Sequence, residues 1–220
     1  MFAIVESGSI TSFPKGNRGI QIGSVKHSAD IFTPKWTESE RNAIGLYTVE
    51  IDETNRKDTT YYTNTDISYA YDASSNKVKG TYGTSTAKSL TDVTEVWTQS
   101  EIDAGQAPDG TSANDNKKDS EGNNIITLGL KTLYKNRFNV QAAGLLAKTD
   151  WYVVKATEVG SYSVPTNITN YRAAVRTKVN QMETSIDGCA NIAALITLLS
   201  YTTTDGVTSR PLGEFPDEVV

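Results

Sequence analysis

Hydrophobic and polar positions change period once along the chain, and the change divides it. Over residues 1–98 the apolar positions come in short runs or strict alternation, the pattern of half-buried strands. Phe2-Ala3-Ile4-Val5 and Ser9-Ile10-Thr11-Ser12-Phe13 flank Glu6-Ser7-Gly8, which predicts a tight hairpin. Leu46, Thr48 and Glu50 fall on one face of a strand whose other face carries Tyr47, Val49 and Ile51. Ile67, Tyr69 and Tyr71 alternate in the same way; the chain then turns through residues 72–76 and returns as Lys77–Tyr82, a second hairpin. Between these runs, Thr37-Glu38-Ser39-Glu40 is a capping box that starts a short helix, and Gly45 ends it.

Residues 99–124 lose the pattern. Gly, Pro, Asp, Asn, Ser and Lys dominate, and so little apolar surface cannot offset the entropy of ordering the segment, which predicts a polar linker or long loop. From residue 125 the period is helical. Leu130, Leu133, Tyr134, Phe138, Gln141, Ala142 and Leu145 recur at steps of three and four. Trp151-Tyr152-Val153-Val154 reads as a connecting stretch. Pro165 and Thr166-Asn167 then open a helix striped by Ile168, Tyr171, Val175, Val179, Met182 and Ile186, and Gly188 stops it. Ile192, Leu195, Ile196 and Leu199 mark a shorter helix, and Arg210–Pro216, with two prolines, reads as extended. The expectation is an α+β protein with a β-rich module at 1–98, a linker at 99–124 and a small helical module at 125–220.

Composition narrows the class. Apolar content is low, at 37%, but eleven Tyr and three Trp supply large buried areas to a core. The net charge of −5, from 26 acids and 21 bases, comes with no basic patch, so nucleic acid is not expected as a partner. One Cys forms no internal disulfide, and Met1–Glu6 lacks the basic start and apolar run of a signal peptide. Ala190–Leu199, interrupted by Asn191 and Thr197, is too short to span a bilayer. These features predict a soluble protein made in a cytoplasm, with no membrane partner.

Catalytic chemistry finds little to work with. His27 is the only His, in the β-rich region, and Cys189 follows a helix end in another segment. A Ser or Cys nucleophile usually needs a nearby base, and a zinc site needs several His or Cys at close spacing. Asn114–Gly122 is rich in oxygen ligands, but a calcium loop begun at Asp115 puts Lys117 third and Ser120 sixth, where an acid and Gly are required. Gly16-Asn17-Arg18-Gly19 lacks the Lys-Ser/Thr pair of a phosphate loop. No enzyme, metal or cofactor is expected.

The last third resembles a known family. Leu145-Leu146-Ala147-Lys148-Thr149-Asp150-Trp151 is similar to the "LLAxTDW" element of the tail assembly chaperones and tail-fibre assembly proteins of tailed bacteriophages. Val164-Pro165, Ile168 and Tyr171-Arg172-Ala173-Ala174-Val175-Arg176 resemble that family's proline followed by "YRxxLR", and Phe215-Pro216-Asp217-Glu218-Val219 its "FPxxV". The order and spacing agree over roughly residues 138–220. The chain departs from the family in ending on Val219-Val220 without a Trp, and in its developed β region and long polar segment. Both departures favour a protein that stays in the particle, as virion-associated proteins of marine phages do.

The resemblance implies a non-enzymatic role in virion assembly, with phage tail, tail-fibre or other virion proteins, or a second copy, as partners. Its expected location is the virion, the host cytoplasm during assembly, or both. Candidate partner-binding residues are Trp151, Tyr171, Arg172, Arg176 and Phe215. Arg172 and Arg176, one helical turn apart beside the apolar stripe, can pair with carboxylates of this chain or of a partner. Two other roles fit the same sequence. One is a permanent decoration, adaptor or fibre-like subunit; the other is a host-glycan attachment module using Tyr47, Tyr61, Tyr62, Tyr69, Tyr71 and Tyr82.

Overall fold

A computed structural model describes residues 1–16 and 18–219. Asn17, within the Gly16–Gly19 stretch, and Val220, of the terminal Val219-Val220, lie outside the described residues. The chain is α+β and divides into two compact units, Met1–Ala87 and Lys88–Val220.

The first unit contains β1 (Phe2–Glu6), β2 (Ser9–Ser12), β3 (Ile20–Ile22), β4 (Val25–His27), a 3-10 turn (Ala29–Phe32) and α1 (Glu38–Ala43). It continues through β5 (Leu46–Asp52), β6 (Tyr62–Thr63), β7 (Ile67–Asp72), β8 (Lys77–Tyr82) and β9 (Thr86–Ala87). Five strands form one sheet in the order β2-β1-β5-β8-β7, with β5 and β8 parallel and the other neighbours antiparallel. Both expected hairpins are present. Ser7 and Gly8 have positive φ between β1 and β2, and Asn76 has positive φ at the end of the β7–β8 turn. Asp72 organises that second turn: its carboxylate accepts from the Ser74 backbone and hydroxyl and from Lys79 Nζ at 2.6 Å. The Lys79 ammonium, with the Ser74 and Ser75 hydroxyls, holds the Asp72 carboxyl well below the usual carboxylate range.

The alternation in β5 sorts its residues onto two faces. Val49 joins Ala3, Val5 and Val78 on one side, with Tyr47, Tyr69 and Tyr71 against them. Leu46 joins Ile4 and Ile31 on the other, under Phe2, Ile20, Ile22, Phe32, Trp36 and Ile44. The segment that covers this second face is held by the Thr37–Glu40 capping box and by Gly45, whose φ of +83° only glycine adopts freely.

The second unit begins before the segment expected as a linker. It runs through β10 (Val93–Thr94), α2 (Gln99–Asp103) and β11 (Ile126–Thr127) before the helices. Residues 99–124 are mostly exposed turns and irregular chain apart from α2, and the two compact units divide at Ala87/Lys88. Backbone bonds order this segment where apolar burial is scarce. Glu95 N–H donates to the Ile125 carbonyl, Lys117 N–H to Glu95, Ile125 N–H to Lys117, and Asn114 N–H to Trp97. Thr98 and Glu101 form a second capping box. Lys117 Nζ lies 2.6 Å from the Glu101 carboxylate and 4.8 Å from the centroid of the Trp97 ring.

Lys117 and the Thr98 cap pull the Glu101 carboxyl down to about 2. Its contribution to the segment is complete above the ordinary value of 4.5 and is lost as pH falls towards about 2. Trp97 fluorescence is expected to change over that window in the wild type. Glu101→Gln should show the acid-state signal already at neutral pH; an unchanged titration in the variant would contradict the arrangement.

Four helices follow: α3 (Leu130–Ala147), α4 (Asp150–Glu158), α5 (Thr166–Asp187) and α6 (Ile192–Leu199). The hairpin β12 (Thr202–Thr204) and β13 (Val207–Ser209) turns through Asp205-Gly206, and an irregular tail ends the chain. All six stripe residues of α5 are buried, Val175, Met182 and Ile186 completely. α3 runs antiparallel to α5: Lys135 pairs with Asp187 at 2.9 Å, and Asn139 donates to Glu183 at 2.6 Å. Two expectations need correction. α3 buries Leu130, Phe138 and Ala142, but its face is turned so that Leu133 and Gln141 are exposed. Residues 151–154 are helix rather than connector. Asp150 at the first turn and Lys155 in the last complement the helix dipole, outweighing the weak helix preference of Val153 and Val154.

Candidate partner-binding site

Residues 145–151, 164–176 and 215–219 are linked by side-chain contacts in the second unit. Arg172, on α5, is the centre of the junction. Its Nη1 donates to the Leu146 carbonyl at 2.8 Å and to Thr149 Oγ1 at 2.7 Å; its Nη2 lies 2.8 Å from the Asp150 carboxylate. One guanidinium thus reads the end of α3, the two-residue joint and the start of α4. Planar, many-donor geometry makes Arg suited to this; a Lys ammonium would reach fewer acceptors. Thr149 is also buried, and its hydroxyl donates to the Leu146 carbonyl at 3.0 Å.

The tail closes on the same region. Leu212 is buried, its N–H bonded to the Leu198 carbonyl and its carbonyl to Lys178 Nζ. Further along, Glu218 forms an exposed ion pair with Lys148 at 2.6 Å. Tyr171 sits beneath, buried, with a hydroxyl that has no hydrogen-bond partner among the described residues. Burial pushes its phenol upward, and the Glu218 charge adds to the shift.

The candidate residues therefore divide. Tyr171 and Arg172 are buried and belong to the junction, so neither presents a surface to a partner. Arg176 is exposed, its Nη1 3.4 Å from the Arg172 carbonyl, and Phe215 is half-buried on the tail. Trp151 is exposed and stacks on Tyr152 with ring centroids 3.8 Å apart. Thr149, Asp150, Lys148, Lys178 and Glu218 complete the site. No spacing rule selects them, because their partners lie up to 70 residues away.

Elsewhere the polar groups serve the fold. His27 packs edge-on to Trp36 in the first unit, whereas Cys189 is buried in the second, its thiol pushed up by burial. Asp119 spends its carboxylate on the N–H groups of Glu121 and Asn123. Among the described residues no His, Cys, Asp and Glu group together as metal ligands, and no helix is long and apolar enough to cross a membrane. Tyr47, Tyr69 and Tyr71 lie against the sheet core rather than forming an open aromatic platform. No protein-family model, curated protein or solved structure matches the chain.

Proposed function

We propose that this chain is a non-enzymatic, tail- or tail-fibre-associated protein of a tailed bacteriophage that acts in virion assembly by binding other virion proteins. The convergence at Arg172 carries this reading. Elements resembling "LLAxTDW" and "YRxxLR" are joined by one buried guanidinium, and the segment resembling "FPxxV" closes over them through Lys148 and Glu218. Residues that must meet to hold a local architecture would recur together in a family for that reason. Arg176, exposed beside the junction, and Phe215, half-buried on the tail, are the partner-binding residues in this reading. Arg and aromatic side chains commonly supply the strongest contacts of an interface.

A second reading, a permanent virion component, is favoured by the separate β-rich unit and by the ordered segment before α3. Mass spectrometry of purified particles distinguishes the two. A permanent component appears at stoichiometric copy number; a chaperone is absent from particles but bound to tail or fibre subunits in the infected cell, its host-cytoplasm location during assembly.

A further inference from the structure

We propose that the outward face of α3 and α4 pairs with the same face of a second copy of this chain, antiparallel about a two-fold axis. α4 has nine residues and buries none of them. A helix this short is marginal in water without a surface to pack on. Yet it presents Trp151 and Val154, each more than half exposed, to solvent.

These residues belong to a longer stripe. Leu133, Arg137, Val140, Gly144, Ala147 and Trp151 follow one another in alternating steps of four and three, and Val154 and Glu158 continue it. All eight are exposed. This is the spacing of a coiled-coil seam; Leu130, three residues earlier on the same line, is buried, so the open stripe begins at Leu133, while Phe138 and Ala142 bury a different face. The joint between the helices keeps the turn going: Thr149 N–H bonds to the Leu146 carbonyl and Tyr152 N–H to the Thr149 carbonyl.

The face is complementary to itself in shape and charge. An antiparallel pairing that sets Gly144 against Ala147 also sets Trp151 of each copy against Val140 of the other. A Cβ on Gly144 would meet nothing within 4 Å, so the seam there is an open notch beside which the Trp151 ring can seat. The same register sets Arg137 opposite Val154 of the second copy and Leu133 opposite Glu158, so the Arg137 and Glu158 side chains stand one helical turn apart across the seam, within reach of each other. Neither Arg137 nor Glu158 has an ion-pair partner among the described residues, and the two-fold axis would satisfy both, twice. The pairing holds whether or not the chain acts in virion assembly.

Sedimentation equilibrium of the full chain tests it. The expected result is a dimer that Trp151→Ala dissociates while the fold is retained. Arg137→Glu should weaken it by about tenfold, the effect of losing two rim ion pairs, and adding Glu158→Arg should restore it. At dilutions where the chain is monomeric, melting curves of the charge variants should match the wild type, because both side chains are exposed in the single chain. A chain that stays monomeric at roughly 0.1 mM, where even weak specific dimers form, overturns the proposal. So does a dimer indifferent to Trp151→Ala, or a charge reversal that the second reversal does not rescue.

Discussion

Gly129→Ala is expected to destabilise the second unit by about 2–4 kcal/mol, through overpacking plus a damaged helix start. Gly129 precedes α3 with an ordinary φ of −74°, so its need for glycine is spatial. A Cβ there would stand 2.5 Å from the Thr91 carbonyl oxygen and 2.6 Å from that of Leu90. Those atoms are backbone and cannot rotate away. The same loop also satisfies the start of α3: Leu130 N–H donates to the Ser89 carbonyl, Lys131 N–H to that of Leu90, and Gly129 N–H to the Asp92 carboxylate at 2.7 Å. Displacing residues 89–92 would orphan all three donors. Gly144→Ala makes the control at dilutions where the chain is monomeric: within one chain its Cβ meets open space on an exposed helical face and should stabilise by about 1 kcal/mol through helix propensity. Urea unfolding measures both. Equal and small effects would mean that the 89–92 loop does not cap α3.

Arg172→Met is expected to cost about 2–4 kcal/mol, chiefly because the Leu146 carbonyl and the Thr149 hydroxyl would be left buried without their donor. The ion pair contributes less, since the Asp150 carboxylate is 57% exposed and can be hydrated. Arg172→Lys, which keeps the charge but not the fork, should fall between, at about 1–2 kcal/mol. Arg176→Ala should change stability by less than about 0.5 kcal/mol, as usual for an exposed side chain. Equilibrium unfolding of the three variants decides this. Near-equal stability of Arg172→Met and wild type would remove the arginine from the junction.

The contrast between these arginines shows where sequence reasoning ends. Spacing placed both beside the stripe of α5 and offered both to carboxylates of the chain or of a partner. It could not say that Arg172 turns inward, because its acceptors on Leu146, Thr149 and Asp150 sit 22 or more residues earlier. The α5 stripe itself, the two hairpins and the two faces of β5 were legible, since burial there follows a local period. In residues 99–124 apolar content shows the exposure of a long polar segment but not its order, which comes from backbone bonds. Its capping box, Thr98-Gln99-Ser100-Glu101, repeats the pattern of Thr37–Glu40 and was a usable signal. Asp205-Gly206 between Thr202–Thr204 and Val207–Ser209 was another, the ordinary mark of a two-residue hairpin turn.

Affinity capture from phage-infected cells tests the assembly role most directly. A tagged wild-type chain should retain tail or tail-fibre subunits, identified by mass spectrometry, and Arg176→Glu combined with Phe215→Ala should retain several-fold less at an unchanged melting temperature. A folded wild-type chain that retains no virion protein, and is itself absent from purified particles, would contradict the account.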